Sequence, residues 1–246
     1  MKVSIVTVVR NNENSILDAI ECIKKQSYED IEHIVVDGES TDSTWDVINN
    51  NYSEKMVLIR EPDDGIYDAL NKGINKASGD IIGILHSDDL FADQFVIQYV
   101  VDEFKKYKPD LIYGDLLYIT QKSPHKVIRK WIAGEFKKRK LRYGWMPPHP
   151  TIFLKSEIYS QIGGYDKKYK ISADYKFILQ LFLRSNLSWG YIPRVLVKMR
   201  MGGLSNKNFS SIVSKTKEDL LALNETRVGG FLTVFCKNTR KLMQFF

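Results

Sequence analysis

The stretch GDIIGILHSDDLF, residues 79–91, decides how this chain is read. An apolar run, Ile81-Ile82-Gly83-Ile84-Leu85, stops abruptly at His86-Ser87-Asp88-Asp89. A short apolar run without polar alternation fits a strand covered on both faces. Two adjacent carboxylates at its end are costly if buried bare, and a hard divalent cation relieves that cost. Mg²⁺ commonly takes one or two protein carboxylates and fills its other positions with phosphate oxygens and water. Neighbouring residues of an extended chain point opposite ways, so Asp88 and Asp89 do not grip one ion symmetrically. One would bind the metal and the other hold something beside it, such as ribose hydroxyls. Ser-Asp-Asp is also good turn and helix-cap chemistry, and the dipeptide alone leaves both readings open.

The flanking sequence repeats the pattern. Lys2–Val9 is β-branched and almost wholly apolar, and Ile16, Leu17, Ile20 and Ile23 follow at helical spacing. IEHIVVDG is a second strand ending on Asp37, and STDST supplies cap residues, Ser40 or Asp42, for a second helix. KMVLIREP, GIYDALNKGINKA, FVIQYVVDEFKKY and DLIYGDLLYI continue as strand, helix, helix and strand around the opening segment. Strand and helix thus alternate through residue 119, the pattern of a parallel sheet flanked by helices. In such sheets ligands sit outside the carboxyl ends of the strands, so Asp37 and Asp88-Asp89 should share one rim.

After residue 120 the alternation breaks. Residues 121–148 are basic and rich in aromatics and proline, and are expected to be a functional excursion rather than core. TIFLKSEIYSQIGGYD resumes order, ADYKFILQLFLRS is a helix, and WGYIPRVLVKMRM one or two strands. A helix is expected over 209–225, then an apolar-basic tail over 229–246 containing Phe231, Phe235, Phe245 and Phe246.

The chain has 246 residues, 43% of them hydrophobic, enough for a sizeable core in one domain or a domain plus subdomain. Its net charge of +6 suits an anionic ligand, nucleic acid or an acidic membrane face. No nucleic-acid-binding module accompanies that charge, and no nucleic-acid partner is expected. The run Lys137-Lys138-Arg139-Lys140 with Arg142 reads equally well as a solvated face. Cys22 and Cys236 are far apart, which argues against a disulfide framework or a zinc site and for a reducing cytoplasm. The first residues read as a strand rather than a signal peptide, and no apolar run approaches the roughly 20 residues of a spanning helix.

Other strand ends add to the acids. Asp37 can accept from a base N–H, and Lys72 can reach a diphosphate as a point charge, although a turn acid and an exposed helical lysine explain them as well. SIVTVVRNN, IEHIVVDGESTDST, EPDDGIYDALNKGINKASGDIIGILHSDD, YGD and GGYDKKYKISADYKF occur in this order. Over about residues 1–205 the sequence resembles the family 2 inverting glycosyltransferases of GT-A fold, particularly the bacterial polysaccharide-synthesis branch. The resemblance implies an α/β, Rossmann-like and mostly parallel sheet flanked by helices, with a C-terminal acceptor-side region. It implies a donor-binding half over 1–119, an acceptor-binding and catalytic-base half over 120–205, and a C-terminal helix and tail over 206–246.

By the same resemblance the donor is a nucleoside-diphosphate sugar, a UDP- or GDP-sugar, and the cofactor Mn²⁺ or Mg²⁺. Thr7 and Asn11 would lie near the nucleoside, Asp37 at the base, Lys72 near the phosphates, Asp88 at ribose or metal, and Asp89 at the metal. Asp174, in SADYKF, matches the catalytic base. Where the family often has Pro and an aromatic, this chain has Val8-Val9-Arg10, which puts Arg10 in reach of phosphate; where it often has Glu-Asp, Ala173 precedes Asp174 and leaves one acid. His149 and Trp145 are weaker acceptor-side candidates, each with packing as an equal rival. The reaction implied is a single inverting displacement onto a hydroxyl of a glycan or lipid-linked acceptor in surface-polysaccharide synthesis. A nucleotidyltransferase would usually carry a Gly-rich basic loop near the N-terminus, which VTVVRNNENS lacks; a non-catalytic sugar-nucleotide binder is the other alternative. The tail suits a peripheral contact with the inner face of the plasma membrane, packing on the catalytic domain, or a homodimer.

Overall fold

A computed structural model describes residues 1–122, 125–202 and 209–242. The first half runs β1 (Val3–Val9), α1 (Ile16–Lys24), β2 (Ile31–Asp37), α2 (Thr44–Asn50), β3 (Met56–Arg60), α3 (Ile66–Lys76) and β4 (Ile81–Ile84). Every residue of β1, β2 and β4 is buried, as an apolar strand between two helical layers requires. On α1 the buried residues are Ile16, Ala19, Ile20 and Ile23, a stripe at the helical period. These strands pair in parallel in the order β3-β2-β1-β4, so their carboxyl ends form one rim.

A two-residue strand, β5 (Leu90–Phe91), follows the acids directly, then α4 (Val96–Tyr107) and β6 (Leu111–Ile119). The second half adds β7 (Val127–Trp131), β8 (Phe153–Lys155), α5 (Ser156–Ile162), α6 (Ala173–Leu183), β9 (Trp189–Arg200), α7 (Phe209–Thr226) and α8 (Phe231–Leu242). The nine-stranded sheet has the order β3-β2-β1-β4-β8-β6-β9-β5, with β7 hairpinned onto β6. The sheet is parallel as far as β4 and mixed beyond it: β8 lies antiparallel to both β4 and β6, while β9 runs parallel to β6. Gly83 makes the β4–β8 contact feasible, since a Cβ there would lie 2.5 Å from the Phe153 ring.

The excursion after residue 120 departs from expectation. Ala133, Phe136, Leu141, Trp145 and Met146 are buried in the largest core cluster. The rings of Tyr113, Phe136, Trp145 and Phe182 meet with centroids 4.7–5.8 Å apart. A basic, proline-rich sequence hides this because its apolar side chains turn inward while Lys137, Lys138, Arg139 and Arg142 stay exposed on and just before a 3₁₀ turn over Lys138–Tyr143. Trp145 is therefore core rather than acceptor surface: it is 4% exposed and its indole N–H donates to the Ala133 carbonyl at 2.8 Å.

The tail is helical where described and is integral to the domain. Lys237 is buried, pairs with Asp219 of α7 at 2.8 Å, and lies 3.3 Å from the centre of the Tyr175 ring. Phe245 and Phe246, and the expected boundary near residue 205, lie outside the described residues. No helix among the described residues is long and apolar enough to cross a membrane.

Candidate active site

The rim at the ends of β1, β2 and β4 is knitted by short polar side chains. Asn11 takes a positive φ of 50°, which asparagine tolerates, and its Oδ1 accepts from the Thr41 N–H at 2.8 Å. Its own N–H donates to Ser40 Oγ at 2.9 Å, and Ser40 in turn holds Asp37 through both its N–H and its hydroxyl. Asn12 Nδ2 donates to Ser87 Oγ at 2.9 Å, tying the β1 loop to the strand that carries the acids. Gly38 sits beneath the opening; a Cβ there would lie 2.1 Å from Asp63 Oδ2 and 3.5 Å from Arg10 Cδ.

The two acids face different environments. Asp88 is half-buried, and its carboxylate takes no hydrogen bond among the described residues. Asp89 is 1% exposed; its Oδ1 accepts from the Arg200 N–H at 3.1 Å and its Oδ2 is buried without a partner. Burial, together with the neighbouring Asp88 and against the pull of Arg200, pushes the Asp89 carboxyl well above the usual carboxylate range. Arg200, itself buried, also donates to the Asp88 carbonyl at 3.2 Å and to Asp18 Oδ2 at 2.5 Å. One arginine thus clamps the acid-bearing turn to α1 and β9.

Asp174 opens α6 and is held on both sides. Its Oδ2 lies 3.3 Å from His149 Nδ1, and its Oδ1 lies 3.2 Å from the Tyr67 hydroxyl, which also sits 2.6 Å from the Ile171 carbonyl. The segment before it is fixed from α7: Glu218 accepts from the N–H groups of Lys170, Ile171 and Ser172 at 2.8–3.0 Å. Burial works against ionisation of Asp174, but His149, Lys237 and Lys215 outweigh it and hold the carboxyl below its ordinary value. His149 Nε2 lies 3.1 Å from His86 Nε2. Burial lowers His86 against the pull of both Asp88 and Asp174. Burial likewise drives His149 down to about 4, with Asp174 opposing.

The expected base and the acid-bearing strand end therefore belong to one site, joined by His86 and His149. Of the expected donor residues, Asn11 and Asp88 lie at the rim. Thr7 does not: it is fully buried in the middle of β1, its hydroxyl 3.0 Å from the Nε2 of buried His33. Asp37 is fully buried, and beyond Ser40 it meets Arg60 Nε at 3.4 Å. Lys72 is engaged by Glu61 at 3.1 Å, Asp68 at 3.3 Å and the Pro62 carbonyl at 2.5 Å. Sequence reasoning missed His86, Tyr67, Arg200 and Glu218. His86 had a signal, its place directly before Ser87-Asp88-Asp89; the other three had none, because their partners lie far away in the chain.

The donor set fits a hard divalent ion. Asp88 offers a half-exposed carboxylate with no internal partner, and Asp89 Oδ2 is an orphan oxygen beneath it. No group of three or more ligating side chains occurs among the described residues, so an ion there would draw most of its shell from phosphate and water.

Comparison with known proteins gives a consistent result. Residues 4–164 match the model for glycosyl transferase family 2. A PGL/p-HBAD biosynthesis glycosyltransferase of Mycobacterium tuberculosis is 30% identical over 192 residues, which are 76% of this chain and 72% of the relative. A second M. tuberculosis protein, an uncharacterized glycosyltransferase, is 32% identical over 191 residues, covering 74% and 69%. Among solved structures, S. aureus TarS 1–349 in complex with UDP-GlcNAc superposes with a TM-score of 0.72 at 15% identity, covering 93% of this chain and 66% of that one. The mannosyltransferase PcManGT of Pyrobaculum calidifontis, in complex with GDP-Man and Mn²⁺, superposes with a TM-score of 0.68 at 15% identity, covering 94% and 65%. The chain thus spans just under two thirds of these two structures. With its mixed sheet, its rim of strand-end acids and these matches, the chain belongs to glycosyl transferase family 2 and is a transferase of GT-A fold.

Proposed function

We propose that this chain moves a sugar from a nucleoside-diphosphate sugar to a hydroxyl of a glycan or lipid-linked acceptor, with inversion at the anomeric carbon, in surface-polysaccharide synthesis. The observation that carries the reading is the junction of Asp174, through His149 and His86, with the strand end bearing Asp88. Residues 1–119 form the donor half and 120–205 the acceptor half. Arg10 and Asn11, exposed at the rim, meet the nucleotide. Thr7, Asp37 and Lys72 serve from behind, as packing and as anchors of the rim loops. A UDP- or GDP-sugar is the proposed donor, the two classes seen in the TarS and PcManGT complexes.

Asp88 and the unpartnered Oδ2 of Asp89 would hold Mn²⁺ or Mg²⁺. The ion, when bound, stabilises charge on the leaving diphosphate. Asp174 takes the proton of the attacking hydroxyl; being ionised, it is ready to accept. A thermal-shift screen of UDP, GDP, UDP-GlcNAc and GDP-Man with Mn²⁺ tests the donor site, followed by hydrolysis of any stabilising sugar nucleotide. Stabilisation that needs Mn²⁺ and is lost in Asp88→Asn is expected. No stabilisation by any of the four would end the proposal, and binding without turnover would favour the non-catalytic binder.

The acceptor is proposed to be presented at an anionic bilayer. On α8, Phe231, Leu232 and Phe235 are 74%, 68% and 58% exposed, and the basic 3₁₀ turn packs against the same helix. No acid follows Glu225. Because Lys237 is part of the core, the test is substitution rather than truncation: Phe231→Ser with Phe235→Ser should abolish co-sedimentation with phosphatidylglycerol vesicles. Unchanged sedimentation refutes membrane contact, and a loss of dimer on the same substitutions would assign the face to a second copy.

A further inference from the structure

We infer that Asn71 and Tyr67, which share one face of α3, are positioning residues for Asp174. The inference rests on the reading of Asp174 as the base. Asn71 grips the chain ahead of that acid: its Nδ2 donates to the Tyr165 carbonyl at 2.7 Å, and its Oδ1 accepts from the Tyr165 N–H at 2.8 Å. A backbone N–H only donates and a carbonyl only accepts, so the two bonds fix which way the amide points. Gly164 makes the grip possible. It takes a positive φ of 73°, and a Cβ there would lie 2.6 Å from Asn71 Oδ1. Tyr67 holds the same segment further on, its hydroxyl within reach of the Ile171 carbonyl at 2.6 Å and of Asp174 Oδ1 at 3.2 Å.

The two contacts converge on α6. The buried Tyr165 ring lies between Tyr67, 5.7 Å away, and Phe177, 4.8 Å away between centroids. Phe177 follows Asp174 by less than one helical turn, and Tyr159 stacks on it at 5.3 Å. A grip on the Tyr165 backbone therefore reaches the turn that carries the acid. The other end of α3 is fastened to the donor side. Asp68 Oδ2 accepts from the Asp64 N–H at 3.2 Å while its Oδ1 meets Lys167 Nζ at 2.9 Å, and Lys72 reaches back to the Pro62 carbonyl. The loop so held sets Asp63 against Gly38, just past the end of β2. One helix thus fixes the distance between the donor rim and the base. Loosening Asn71 or Tyr67 frees only the base end, so the chemical step should suffer and donor affinity should not.

The grip is read without substrate: hydrogen exchange of the Tyr165 amide should quicken in Asn71→Ser, and unchanged exchange overturns it. Its consequence is read by hydrolysis of UDP-GlcNAc or GDP-Man with Mn²⁺, in which water supplies the proton that Asp174 takes. Asn71→Ser and Tyr67→Phe should each lower kcat about 10–100-fold and leave donor Kd within about twofold. Asp174→Asn alone should lose about 10²–10⁴-fold, and either second substitution in that background should cost less than about twofold more. A residue that only stabilises the fold would lose as much in either background. Equal losses in both therefore overturn the inference, as does a raised donor Kd with kcat unchanged. If Asn71→Ser does not fold, Tyr67→Phe, which keeps the buried ring, carries the cycle. Parental turnover by Asp174→Asn, or donor binding with no turnover in the parent, refutes the base and the inference together. Equal losses beside a crippled Asp174→Asn refute the positioning and leave the base standing.

Discussion

Replacing Lys237 by methionine is the sharpest test of how the C-terminal helix supports the site. The ammonium and its partner Asp219 are 6% and 3% exposed, at 2.8 Å. Asp219 Oδ1 has no other partner, so losing Lys237 would strand both oxygens of a buried carboxylate. Breaking such a pair from one side costs about 3–5 kcal/mol. The contact with the Tyr175 ring at 3.3 Å is lost as well. For a chain of this length the Tm should fall by roughly 6–20 °C. Removing both charges avoids the stranded carboxylate, so Lys237→Met with Asp219→Leu should recover most of the loss. Urea unfolding of the four proteins, followed by circular dichroism, measures the cycle. A Lys237→Met protein within about 0.5 kcal/mol of the parent would refute the claim that α8 is built into the core.

Three further outcomes follow from other contacts. Burial pushes the Glu32 carboxyl up, but Lys2, Ser4 and Ser78 hold it at about 2 against an ordinary 4.5. That group should contribute about 3 kcal/mol of stability, complete above pH 4.5 and lost as pH falls towards 2; urea midpoints of Glu32→Gln and the parent should converge at low pH. Gly83→Ala, which places a methyl 2.5 Å from the Phe153 ring, should cost about 1–3 kcal/mol, read from the urea midpoint. Glu218→Gln removes one acceptor facing the N–H groups of residues 170–172; hydrogen exchange there should quicken, by about 1–3 kcal/mol of lost protection, with donor turnover reduced.

The period of the apolar residues determined much from the sequence alone. Ile81–Leu85 could be read as a covered strand, Val3–Val9 as its neighbour and Ile66–Lys76 as a helix, because solvent exclusion acts on each side chain locally. Strand ends on a parallel sheet then had to share a rim, and the places of Asn11 and Asp88 on it were legible from that rule; that Asp174 lies beside it was expected only from the resemblance to the family's motifs. Which polar group meets which is a different matter. Asp88 and Asp89 are chemically identical in sequence; Arg200, 111 residues beyond Asp89, decides that Asp89 turns inward. Thr7 finds His33, Lys72 finds Glu61 and Asp68, and Trp145 finds the Ala133 carbonyl, partners that no local pattern names. His149 reaches Asp174 and His86 only because β8 inserts between β4 and β6 and sets the preceding turn beside the rim. Hydrophobic burial is a property of one residue and its period, so the sequence carries it. Hydrogen bonds and ion pairs need a specific second group at 3 Å, and only the folded chain brings that group into place.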